Sequence, residues 1–238
     1  MAETTQQAVD RLTRDLRAAL GDDLEALLLY GSAARGTAVP DRSDVNLLLI
    51  VRDASAAVLH RASPALNAWT RRGQRPPLIQ TPAEWRASAD VFPMEIEDIR
   101  DAHRLLAGRD PLAGLATSAA DLRRELEREV RGKLFYLRAA FTAAAADGKA
   151  LGELLAQALG TLLVFFRAAL RYAGRPVPAE PEPLVAAAAA LAGFDAAAFA
   201  WALAARAGNP PRKLAAYDGV GAEYLRAVER FAEYVDTT

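Results

Sequence analysis

Apolar side chains recur every third or fourth position between Thr5 and Leu20, at Val9, Leu12, Leu16 and Leu20, and Gly21 follows as a stop; this spacing predicts a helix. The period then changes. Leu24–Tyr30 and Val45–Val51 are short, mostly apolar runs, ended by Gly31 and by charge, as expected of buried strands. Helical spacing returns at Val58, Leu59, Ala62, Leu66 and Trp69, and Gly73 with Pro76 and Pro77 closes that segment. Leu78–Gln80 and Val91–Ile99 read as further strands. Beyond Gly114 the strand-like runs cease. Leu122, Leu126, Val130, Leu134, Leu137 and Phe141 step by three or four, and further helices are predicted over 150–173, 184–192, 195–207 and 214–236, separated by RPVPAEPEP, Gly193 and GNPPRK. The predicted class is α+β: a sheet flanked by helices over 1–118, then an all-α helical bundle over 119–238.

Charge narrows the partners. Lys plus Arg number 29 and Asp plus Glu 30, with a formal net charge of -1. The halves before and after residue 120 carry 14 basic with 16 acidic and 15 basic with 14 acidic residues, so neither is a basic module. A long nucleic acid is therefore not expected as partner, whereas a small anion is compatible. There is no cysteine, and the two histidines, His60 and His103, stand 43 positions apart. Disulfides, thiolate sites and a multi-histidine zinc site are excluded, so metal chemistry would use carboxylates. The polar start MAETTQQAVDRLTRDL lacks the basic, then apolar, pattern of a secretory leader, which points to a cytoplasmic protein. The apolar stretches around 154–170 and 184–199 are interrupted by Gln157, Arg167 and Asp195 and read as buried helices, with no membrane expected. The aromatics Phe165, Phe166, Tyr172, Trp201 and Tyr224 belong to that core.

The chemically informative stretch is LLLYGSAARGTAVPDRSDVNLLLIV, from Leu27 to Val51. A buried strand delivers Gly31 and Ser32 into a turn, where glycine permits close backbone approach and exposed N–H groups can hold phosphate oxygens. An ordinary strand-to-helix turn with a serine cap fits the same residues. Strand alternation puts Asp44 and Asn46 on one face, with Val45 turned to the core. A phosphate turn beside a carboxylate is what a Mg2+-bridged triphosphate requires. Arg35 and Arg42 offer charge to such phosphates, or stay solvated in their loop.

This order, GS, eleven residues, then D-x-N entering a strand, resembles the signature of the DNA polymerase beta nucleotidyltransferase superfamily, in which the last element is D-x-D. The resemblance covers about the first 115 residues. The order of halves also resembles kanamycin nucleotidyltransferase-like proteins and minimal nucleotidyltransferases that work with helical HEPN domains. It implies a nucleotidyltransferase-like mixed sheet, an NTP substrate with Mg2+, transfer of NMP to a small-molecule or protein acceptor, and an acceptor cleft formed with the helical bundle. Such families carry a third carboxylate on a later strand; Glu95 in FPMEIEDI is the best match, with Glu97 on its face, before the helix-and-turn segment HRLLAGRDP. The resemblance thus assigns catalysis to Asp44 and Glu95, metal ligation to Asp44, Asn46, Glu95 and Glu97, and nucleotide contacts to Gly31, Ser32 and Arg35. The ribonuclease form of HEPN needs a histidine soon after an arginine, and none follows His103.

Asn46 departs from the signature. It keeps a carbonyl ligand but removes a negative charge, which weakens metal binding and leaves a second reading open: a catalytically degenerate nucleotide-binding or regulatory module. Glu95 and Glu97 equally suit the solvent face of an edge strand behind Pro93. On the first bundle helix, Glu125, Glu129 and Lys133 recur every four residues, as a solvated face with a Glu129–Lys133 pair, or with Lys133 reaching the triphosphate. A third reading makes the bundle an oligomerisation surface with a vestigial cleft.

Overall fold

The computed structural model describes residues 4–37 and 44–238. The chain divides into two compact units, Met1–Val91 with Glu95–Thr117, and Phe92–Met94 with Ser118–Thr238.

In the first unit, α1 (Thr5–Leu20) opens with a capping box. The Thr4 side chain accepts from the Gln7 N–H, and the Gln7 side chain accepts from the Thr4 N–H. Among the described residues four strands follow, β1 (Leu24–Tyr30), β2 (Asn46–Val51), β3 (Leu78–Gln80) and β4 (His103–Gly108), in the order β3-β2-β1-β4. β1 runs antiparallel to both β2 and β4, and β3 lies parallel to β2. Between β1 and β2 lies a single helical turn, α2 (Ser32–Arg35).

Both faces of the sheet are covered, which is why its central strands are apolar without alternation. Leu27, Leu29, Val45, Leu47 and Leu49 pack with Leu12 and Leu16 of α1 and with Val58, Ala62 and Trp69 of α3 (Ala56–Thr70). On the other side, Ala26, Leu28, Leu48 and Ile50 meet Trp85 of α4 (Pro82–Ala87) and Ile96 and Ile99 of α5 (Pro93–Asp101). Inside α3, Pro64 removes the N–H that would bond the His60 carbonyl, and the Ser63 hydroxyl donates to that oxygen instead, at 2.8 Å.

Two expectations are corrected here. Val91–Ile99 is not a strand: Pro93 supplies a fixed φ at a helix start, Glu95 suits a first turn, and Ile96 and Ile99, three apart, reach the core together. HRLLAGRDP, expected as helix and turn, supplies β4 instead. Its Gly108 has φ +77°, and a Cβ there would lie 1.9 Å from the Glu25 carbonyl oxygen, so the chain passes β1 closer than any other residue allows.

The second unit is helical: α6 (Ala119–Ala144), α7 (Gly148–Tyr172), α8 (Pro181–Ala192), α9 (Ala200–Arg206) and α10 (Gly219–Thr237). Ser118, Asp147 and Asp218 cap α6, α7 and α10 with side-chain oxygens. The α6 positions picked out by spacing, Leu122, Leu126, Val130, Leu134 and Leu137, are buried. Phe166 is the hub of an aromatic cluster, 5.5 Å from the rings of Phe194 and Phe199 and 4.9 Å from that of Phe231. Among the described residues α7 alone is long and apolar enough to cross a membrane, but most of its surface is buried inside the unit.

Candidate functional site

One end of the sheet collects the polar residues singled out by the sequence. Tyr30, the last residue of β1, is paired with Asn46 on one side and His103 on the other. Gly31 then turns the chain with φ 77° and ψ -149°, a conformation almost confined to glycine, and its N–H donates to the Ala102 carbonyl at 3.2 Å. A Cβ on Gly31 would stand 3.0 Å from the Asn46 amide nitrogen, so the glycine also lets Asn46 close over the turn. Ser32 opens α2, and Gly36 ends it in the left-handed region. Val45 is 4% exposed in the core, as alternation required, while Asp44 is open to water. Asp44 lies two residues before Asn46, whose amide nitrogen abuts the Gly31 position.

The charged groups form three linked pairs. Asp44 is ion-paired with Arg75, Nε to Oδ2 at 2.9 Å. Arg35 is tied to Asp98 at 2.6 Å and to its main-chain oxygen at 3.0 Å; with its side chain only 6% exposed, this guanidinium braces α2 against α5. Tyr30 is hydrogen-bonded to Glu95. Burial pushes the Tyr30 phenol far above its ordinary value, with the charge of Glu95, its hydrogen bond and Asp98 adding to this and Arg75 opposing it. Glu95 keeps part of its surface in water, yet desolvation of its crowded carboxylate raises its pKa; the Tyr30 hydrogen bond opposes that rise and Asp98 adds to it.

Glu97 does not share a face with Glu95 on α5, where two residues span more than half a turn. It accepts from Thr117 at 2.7 Å and pairs with Arg100 at 3.2 Å. Arg42 lies outside the described residues. Tyr30, Arg75 and Asp98 were not anticipated. The position of Tyr30 immediately before Gly31 was the one sequence signal for any of them.

Within the second unit, Glu125 is 9% exposed and accepts from the Met94 N–H at 2.8 Å. The expected Glu129–Lys133 pair is absent: Glu129 binds Arg128, and the Lys133 ammonium lies 5.1 Å from the centre of the Tyr136 ring. Half-buried and with no carboxylate partner among the described residues, Lys133 has its pKa lowered by desolvation.

A resident pair of divalent ions needs several carboxylates converging on one point. Here the D-x-D pair is one carboxylate and one amide, and Asp44 already faces a guanidinium. β3 (LIQ) and β4 (HRLLAG) carry no acid at all, and among the described residues no three Asp, Glu or His side chains cluster suitably. The donor set does not fit a resident two-ion centre.

No protein-family model and no curated protein sequence matches the chain. Its fold matches the crystal structure of a spectinomycin adenyltransferase from Enterococcus faecialis with ATP and spectinomycin, with a TM-score of 0.60 and 12% identity, covering 98% of this chain and 100% of that one. The protein therefore has the nucleotidyltransferase fold, with a mixed sheet flanked by helices followed by a helical region.

Proposed function

We propose that this protein binds a nucleoside triphosphate at the Gly31–Ser32 turn and transfers its nucleotidyl group to a small-molecule acceptor. The observation that carries the reading is the match along the whole of both chains to an enzyme solved with ATP and a small molecule. In the transfer, an acceptor oxygen forms a bond to the α-phosphorus and the bond to the bridging oxygen breaks. Pyrophosphate leaves with the electron pair, and the acceptor proton passes to a base. Glu95 suits that base, because a carboxylate of raised pKa holds a proton better than an ordinary one. Any Mg2+ enters with the nucleotide as part of the substrate. Incubation of the protein with each NTP and a panel of hydroxyl-bearing acceptors, read by mass spectrometry, tests the reading; the product is an acceptor heavier by one nucleotidyl group.

Asn46, the Asp44–Arg75 pair and the acid-free β3 and β4 favour a second reading, nucleotide binding without transfer. In that case nucleotide binds, no adduct forms, and Asn46→Asp gains activity from a zero background.

A further inference from the structure

We propose that Arg75 is the cation of the triphosphate site: its guanidinium, held on Asp44, takes phosphate oxygens directly, so that nucleotide binds here without a divalent ion. The inference rests on the nucleotide reading above and supplies counter-charge at an end of the sheet where no three acidic or histidine side chains among the described residues converge.

Arg75 is held from both sides. The indole N–H of Trp69, itself 2% exposed, donates to the Arg75 carbonyl at 2.8 Å. Pro76 and Pro77 stiffen the chain that follows, and Leu78 then pairs with Leu48 in parallel register. Arg75, just before β3, meets Asp44, just before β2, in the 2.9 Å pair. Asp44 in turn is two residues from Asn46, whose amide nitrogen abuts the Gly31 position. The guanidinium thus stands at the Asp44 end of β2, the strand that lies between β3 and β1.

Its chemistry suits the task. A guanidinium carries five N–H donors in a planar fork that matches phosphate oxygens, and the contact with Asp44 uses the Nε end. The side chain is 72% exposed, so the outer edge of the fork faces water. The pair with Asp44 is a surface contact that orients the arginine and is readily given up to a ligand. The field of Arg75 also reaches Tyr30, against the effects of Glu95 and Asp98, so its charge belongs to the same cluster. Arg35 is already tied to Asp98, and Asn46 carries no charge.

The test is calorimetric titration of the full chain with ATP, GTP, CTP, UTP and tripolyphosphate, in EDTA and in excess Mg2+. Binding is expected in EDTA, within about threefold of that in Mg2+, a difference under 1 kcal/mol. Arg75→Gln should weaken binding in EDTA at least about tenfold, or ~1.4 kcal/mol, and recover in part with Mg2+ because Asp44 is then open to the ion. Arg75→Lys, which keeps the charge and loses the fork, should fall between. An unchanged thermal unfolding midpoint shows that the variants are folded. Nucleotide binding by the wild type only in Mg2+, or undiminished binding by Arg75→Gln in EDTA, overturns the role of Arg75 and leaves the nucleotide site standing. Failure of every ligand in both buffers removes the site as well.

Discussion

A methyl group on Gly31 would stand 3.0 Å from the amide nitrogen of Asn46, so the turn after β1 and the start of β2 meet at a contact built for hydrogen in place of a side chain. Gly31→Ala therefore combines crowding with a φ of 77° and ψ of -149° that alanine adopts at a cost of about 1–3 kcal/mol. Gly132, exposed within α6 with open space around it, is the control: Gly132→Ala should stabilise by roughly 0.5–1 kcal/mol. Urea denaturation of both variants checks the pair. Equal effects at the two positions would show that the Gly31 turn is not constrained.

Glu95 makes stability depend on pH. A carboxyl whose folded pKa lies above its ordinary value of 4.5 contributes most below 4.5 and loses that contribution as pH rises through the folded value. Glu95→Gln, which can still accept from Tyr30, should be more stable than the wild type at pH 7, by less than about 1 kcal/mol given solvent screening. The two should converge near pH 4. A constant offset across that range would contradict the raised value.

Lys133 has the opposite charge and the same problem. Its lowered pKa means that the unfolded chain binds the proton more tightly just below 10.5, so stability attributable to Lys133 rises with pH toward that value. The stability of the wild type relative to Lys133→Met should therefore improve between pH 8 and pH 10. A flat difference would mean that the ammonium is not desolvated.

Asp218 joins two tasks at the start of α10. It accepts from the Val220 N–H at 3.1 Å as a cap and from Arg212 at 2.8 Å, and the Arg212 hydrogen bond, with the backbone N–H groups of Ala215 and Val220, holds its pKa far below the ordinary 3.8. Its stabilisation is present above 3.8 and lost as pH falls toward the folded value. Asp218→Asn should lower the melting temperature at pH 7, Asp218→Ala should lower it further by removing the cap, and the gap between wild type and Asp218→Asn should narrow below pH 3. Melting curves of the three proteins at both pH values decide this.

Much of the fold was legible because its strongest signals were local. The apolar repeats of α1, α6 and α7 and the runs of β1 and β2 mark elements whose burial is continuous. The segment around Glu95 misled for a physical reason: VFPMEIEDI alternates like a strand, while the helix depends on Pro93 at its start and on Ile96 and Ile99 finding Leu28 and Leu48 across the sheet. The same holds for the site. Gly31, Ser32, Asp44 and Asn46 lie close in sequence and could be grouped by spacing, whereas Arg75 and Asp98 reach that end of the sheet only through β3 pairing and the packing of α5.

The most direct test of nucleotidyl transfer is release of pyrophosphate by the full chain supplied with NTP and hydroxyl-bearing acceptors, measured beside Asp44→Ala, Glu95→Gln and Asn46→Asp. The account predicts acceptor-dependent release by the wild type, a drop of about 10²–10⁴-fold in Glu95→Gln and a smaller drop in Asp44→Ala, which frees Arg75 from its pair. Absence of release from the wild type with every acceptor, together with its appearance in Asn46→Asp, would contradict transfer and leave a protein that binds nucleotide without consuming it.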